Sequence, residues 1–204
     1  MDEDLAPLLE ELRACGHCAS RFAATVTAHA PNPVFQIAPG ARLCVAGQAP
    51  GLRAHGAGKP FADPSGIRLR TWLGVDEATF YDPARFAIVP MAFCFPGYDA
   101  KKHDLPPPPD CARLWRARLF AALPAIETLV LVGKAAIAWH LPALRSHPLA
   151  EIVGGGPYRD GAGRRLIPLP HPSWRNNAWL KKHPWFETDT LPALRAAIAP
   201  LLSR

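Results

Sequence analysis

Four short apolar runs set the limits on how this chain can fold. They are Arg42-Leu-Cys-Val-Ala-Gly47, Arg85-Phe-Ala-Ile-Val-Pro-Met91, Thr128-Leu-Val-Leu-Val-Gly133, and Arg165-Leu-Ile-Pro-Leu169. Each has the length of a strand and lacks the alternation that a water-facing side imposes, which predicts strands covered on both faces. Segments with helical spacing lie between them. Leu5, Leu8, Leu9 and Leu12 make one apolar face within residues 4–14. Residues 65–73 follow the start signal Asp63-Pro64, and 111–123, 134–141 and 191–202 complete the helical set. This alternation predicts an α/β fold, a three-layer α/β/α sandwich around a central, mostly parallel four-stranded sheet.

The 204 residues show no repeat and no linker, so a single domain spanning 1–204 is expected. A hydrophobic share of 49% with 20% charged residues excludes wholesale disorder. No apolar run approaches the roughly 18 residues that crossing a bilayer takes. The start, Met1-Asp-Glu-Asp-Leu5, lacks the basic-then-apolar layout of a secretory leader. A cytoplasmic protein with no membrane partner is therefore expected. The 24 prolines exceed the roughly ten of an average chain this long and predict long ordered loops. A net charge of +6 permits a nucleic-acid partner without requiring one. In a reducing compartment the five cysteines read as buried thiols or as metal or cluster ligands, not as disulfides.

In sheets of this kind a ligand sits outside the carboxyl ends of the strands. Two segments leave predicted strand ends there with unusual polar content. The first begins Gly47-Gln48-Ala49-Pro50-Gly51 and runs through His55 to Gly58-Lys-Pro-Phe61-Ala-Asp63-Pro-Ser-Gly66. Its glycines let backbone approach a ligand closely. Phe61 either displays an aromatic face on the loop or fills the core, and Asp63 is placed to cap the following helix. The second is Leu169-Pro-His171-Pro-Ser173-Trp174-Arg175-Asn176-Asn177, where two prolines hold His171 stiffly.

Taken in order, these segments resemble the uracil-DNA glycosylase superfamily, closest to its iron–sulfur-containing families four and five. The motifs are Gly47-Gln48-Ala49-Pro50-Gly51, Gly58-Lys-Pro-Phe61, His171-Pro-Ser173, and Cys15-x-x-Cys18 with a second pair, Cys94 and Cys111, that has sixteen residues between them; the likeness covers residues 12–186. It implies a monofunctional DNA repair enzyme that flips uracil out of DNA, hydrolyses its N-glycosidic bond and leaves an abasic site. Phe61 would stack on the base, the Gln48-Ala49 turn would bond its oxygens, and His171 would donate to uracil O2. Cys15, Cys18, Cys94 and Cys111 would hold a structural [4Fe-4S] cluster, with zinc as the alternative; Cys44 reads as a core thiol.

The chain also departs from its relatives. Family four has glutamate at the position of Gln48 and family one aspartate at that of Ala49; family five uses an aspartate in a downstream segment, which points to Asp63 for placing the water. The asparagine that reads the base is replaced by Pro90, so discrimination would fall to backbone near Met91 or to Asn176. Trp174 or Arg175 would enter the gap left by the flipped base, Ser173 beside them would also touch DNA, Lys181, Lys182 and Arg175 would meet phosphates, and His55 the sugar or the abasic product. A non-catalytic binder of damaged or abasic DNA, or a glycosylase that also takes hypoxanthine and xanthine, is the alternative. A monomer is the expected state.

Overall fold

The structure, a computed structural model, describes residues 4–203. The chain opens with α1 (Leu5–Arg13) and the short α2 (Ala19–Ala23). Then come β1 (Leu43–Ala46), α3 (Leu52–Ala57), α4 (Pro64–Leu73), α5 (Glu77–Phe80), β2 (Phe86–Ile88) and α6 (Pro109–Ala121). The second half holds β3 (Thr128–Val132), α7 (Lys134–His140), α8 (Leu149–Gly154), β4 (Tyr158–Arg159), β5 (Arg165–Leu169), α9 (Asn177–Lys182) and α10 (Leu191–Leu202). One wide helical turn, Phe186–Thr190, leads into α10.

The strands form one sheet in the order β2-β1-β3-β5-β4. The four expected strands are all present and mutually parallel. The sheet has five strands, not four, because the two residues of β4 pair antiparallel on the β5 edge. Residues 85–91 give a strand of only three, Phe86–Ile88, beyond which Val89 N and Met91 N still donate to Val45 O and Gly47 O.

Strand geometry sorts the apolar runs into two cores. Cys44, Ala46, Leu129, Leu131 and Leu166 point to one face, where α1, α6 and α7 bring Leu8, Leu12, Trp115, Leu119 and Ile137. Leu43, Val45, Val130, Val132 and Leu169 point to the other, where α4 and α10 bring Leu69, Trp72, Leu194 and Ile198 around Phe186. The result is the expected three layers. From β1 the chain steps out to β2 and crosses back to β3, so the order reverses between β1 and β3. A crevice opens at such a reversal, outside the carboxyl ends of the strands.

Candidate active site

A cleft of about 470 Å³ lies at that end of the sheet, walled by the Gly47–Gly51 turn, Phe61, Asp63, Pro90, Asp104 and His171 among others. The two loops singled out by their polar content thus meet in one cavity. The Gly47–Gly51 turn is anchored through its carbonyls, with Gly47 O accepting from Met91 N at 2.9 Å and Gln48 O from Ala92 N at 3.1 Å.

Phe61 is half-buried and sits at φ 54°, a left-handed conformation that costs a residue with a Cβ about 1–2 kcal/mol. The neighbours that hold it there are identifiable. The Tyr81 hydroxyl reaches the carbonyls of Pro60 (2.9 Å) and Phe61 (3.2 Å), and the Phe80 ring meets Phe61 edge-on at 6.1 Å. Gly66 completes the device, because a Cβ there would lie 1.9 Å from the Phe61 carbonyl oxygen. Strain kept in place by its surroundings is a mark of functional sites. The ring packs on Gly47 and keeps a wall of the cleft.

Asp63 caps α4, its Oδ1 accepting from Gly66 N at 2.9 Å, while Oδ2 is turned toward Gly51 in the opposing turn. His171 is held by its neighbours. Ser173 N donates to Nδ1 at 3.2 Å and Asn176 Nδ2 donates to the His171 carbonyl at 2.7 Å. Gly133, at φ 85° after β3, lets the imidazole pack within 3.4 Å of where its Cβ would be. Burial pushes the His171 pKa below its ordinary value, against the pull of the nearby Asp63 and Asp104 carboxylates. The ring is therefore neutral at neutral pH, and with Nδ1 accepting, its proton sits on Nε2.

Residues 34–195 match the Uracil DNA glycosylase superfamily. The chain belongs to this superfamily. It is accordingly a hydrolase of the DNA glycosylase kind, a repair protein whose substrate is DNA. No helix among the described residues is long and apolar enough to cross a membrane.

On this glycosylase's outer lip, Trp174 is 72% exposed and Arg175 lies beside its ring. Arg175 reaches across the mouth to Asp104 at 3.3 Å. Lys181 and Lys182 are exposed on α9. Sequence reasoning missed Asp104 and Arg68. Arg68, on α4, donates to Ser173 O (3.2 Å) and Asn177 Oδ1 (2.8 Å) and so ties the His171 loop to the helix that Asp63 caps. No local pattern marks such residues, because their partners are remote in the chain.

Two expected contacts lie elsewhere. Met91 is buried in the core on the α6 side with its N–H committed to Gly47; Pro90 lines the cleft instead. His55 turns away from the cleft, its ring packed edge-on against His29 at 5.1 Å and near Phe95. Burial and His29 together lower its pKa. Asn176 lines the cleft, but one of its donors serves His171.

Cys15, Cys18, Cys94 and Cys111 line one small cavity between the end of α1, the start of α6 and the segment after β2. Its other walls are mostly apolar, among them Leu12, Phe22 and Trp115. Phe93 N donates to the Cys111 sulfur at 3.4 Å, and the Asn32 backbone donates to that of Cys94. Burial pushes the Cys94 thiol up to about 12 and Cys111 to about 11. Among the described residues, no group of three or more His, Cys, Asp or Glu side chains is arranged to hold a metal ion. The donor set, four thiols in apolar surroundings with N–H groups aimed at two sulfurs, suits an iron–sulfur cluster in its chemistry. Cys44 is fully buried in the core, as expected, and its thiol is pushed up to about 12.

Proposed function

We propose that this protein excises uracil from DNA by hydrolysis and leaves an abasic site. The observation that carries the reading is the shared cleft. A strained aromatic ring, a neutral imidazole with its proton on Nε2 and the carboxylate of Asp63 all wall it. A base inside a duplex is out of reach, so the nucleotide must rotate outward at a cost of a few kcal/mol. Stacking on Phe61 offsets about 1–3 kcal/mol of that. Trp174 or Arg175 fills the vacated step, with Lys181 and Lys182 near the phosphates. Backbone amides of Gln48 and Ala49 bond the base.

As the glycosidic bond stretches, negative charge collects on uracil O2. His171 Nε2–H donates to that oxygen, an interaction stronger in the transition state than in the ground state. A neutral donor suits this step, since it need not give up its proton. The electron pair of the broken bond leaves with the base, and Asp63 orients the water that adds to the sugar cation and accepts the proton that this water gives up. Among the described residues no lysine lines the cleft wall to form a Schiff base, and the proposed reaction includes no strand cleavage.

Cys15, Cys18, Cys94 and Cys111 would hold an iron–sulfur cluster that ties the end of α1 to α6. When bound it supplies structure, because the hydrolysis moves no electrons. Zinc on the same thiols is the rival, and iron content with a brown colour decides between them.

Pro90 favours a second reading, a wider base range, because it lines the cleft where a side-chain reading contact is absent. Incubation with labelled duplexes carrying uracil, hypoxanthine or xanthine, followed by alkali, separates the possibilities. Breakage at uracil only after alkali supports uracil excision, and breakage at all three supports the wider range. Retarded DNA without breakage would mean a binder and overturn the enzyme reading.

A further inference from the structure

Arg116 on α6 is a cation buried to 1% exposure. A buried charge is costly unless it is paired. Among the described residues no carboxylate pairs with this one: the groups acting on it are Cys44, Cys111, Arg164 and His140, and the nearby Asp160 carboxylate is engaged by Arg164. Its Nη1 donates instead to two successive carbonyls, Val89 O at 3.0 Å and Pro90 O at 3.1 Å. Nη2 meets His140 Nε2, and the guanidinium lies over the Phe120 ring at 5.0 Å. Burial keeps His140 neutral, with its pKa lowered to about 3, so its ring can accept. Among the described residues Arg116 Nε has no hydrogen-bond partner.

The place of those carbonyls explains the arrangement. β2 is an edge strand, and beyond it the chain turns at Pro90 into the cleft. On one side the segment is sewn to β1 and the Gly47 turn by Val89 N to Val45 O, Met91 N to Gly47 O and Ala92 N to Gln48 O. The other edge pairs with Gln36 at Ile88 and with Val34 at Phe93, and between those two contacts the guanidinium supplies two directed donors to the Val89 and Pro90 carbonyls. Five positions earlier on the same helix stands Cys111.

We propose that Arg116 is a positioning residue for base recognition: from behind the cleft it fixes the Val89–Pro90 corner, and through that corner the Gly47–Gln48 turn. The inference rests on the glycosylase reading above. It predicts a specific division of labour. Asp63 and His171 hang on α4 and β5, so loosening the corner disturbs the seat of the base and leaves the hydrolytic groups in place.

The test compares wild type, Arg116→Met, Arg116→Lys and the core control Leu119→Ala on oligonucleotides bearing uracil or hypoxanthine, with folding followed by circular dichroism. Hydrogen bonds to a buried charge set the expected scale. Arg116→Met should raise KM for uracil DNA about tenfold and cut the preference between the two bases by a similar factor, with kcat within about threefold. Arg116→Lys, one ammonium in place of the fork, should fall between. Leu119→Ala should lose stability without moving KM or the preference. A folded Arg116→Met with unchanged KM and preference, or one matched by Leu119→Ala, overturns the proposal. If Arg116→Met does not fold, Arg116→Lys decides by the same readouts. Collapse of both Arg116 variants leaves only a folding role and also overturns it. A wild-type protein that releases no base overturns the reading of the cleft, and this inference with it; an active wild type does not.

Discussion

Asp63 is asked to do two jobs, and single substitutions can separate them. Its Oδ1 caps α4 through Gly66 N, and its Oδ2 is turned toward Gly51 across the cleft. Asp63→Asn keeps a good cap but loses the charge. It should fold as wild type and lose activity by about 10²–10⁴-fold, the usual contribution of a positioned base. Asp63→Ala should also lose about 1 kcal/mol of stability with the cap. Full activity in the asparagine variant, read by base release, removes Asp63 from the mechanism. The histidines supply a second prediction. His171 and His140 are held neutral by burial, His140 with its pKa lowered to about 3. Unfolded histidine takes a proton near about 6.5. The unfolded chain therefore binds more protons below that value, and stability should be full above pH 6.5 and fall on acidification below it. Denaturant midpoints from pH 7.5 to 4.5 measure this. His140→Gln, whose amide oxygen can still accept from Arg116, should flatten the acid slope.

At the level of elements, the start of α4 is a single mechanical unit with Phe61. The Asp63 cap, Pro64 in the first turn and Gly66 against the Phe61 carbonyl are inseparable. Gly66→Ala puts a methyl 1.9 Å from that oxygen, so either the helix start or Phe61 must move. The cost should be about 1–3 kcal/mol or more, with loss of binding to a uracil-containing oligonucleotide greater than the loss of melting temperature alone explains. Long elements were readable from spacing, and α10 (Leu191–Leu202) coincides with its expected range. The short helices α3, α5, α8 and α9, of four to six residues, carry no clear periodicity. Helices this short are held by tertiary packing and not by their own propensity. Strand β4 escaped for the same reason, being two residues long and fixed only by pairing with β5.

Across the whole molecule, the four-cysteine cavity joins parts that the sheet does not. Cys15 and Cys18 follow α1, while Cys94 and Cys111 flank a loop of sixteen residues rich in proline. If a cluster ties these pieces, Cys15→Ser should lower both iron content and melting temperature, and chelation of the wild type should do the same. A colourless, iron-free protein of unchanged stability would make the four ordinary core thiols.

The sequence by itself determined the four parallel strands, the three-layer arrangement, the two loops of the cleft and the family motifs. These rest on local chemistry: apolar runs, glycine and proline at turns, and a cap residue before a helix. Only the tertiary structure decided which candidates share a space. It put Met91 in the core and His55 against His29, and it brought Asp104 to Arg175 and Arg68 to the His171 loop. It also set Arg116 behind Pro90. A side chain's partner is fixed by chain crossings tens of residues apart, and spacing along the chain carries no record of those.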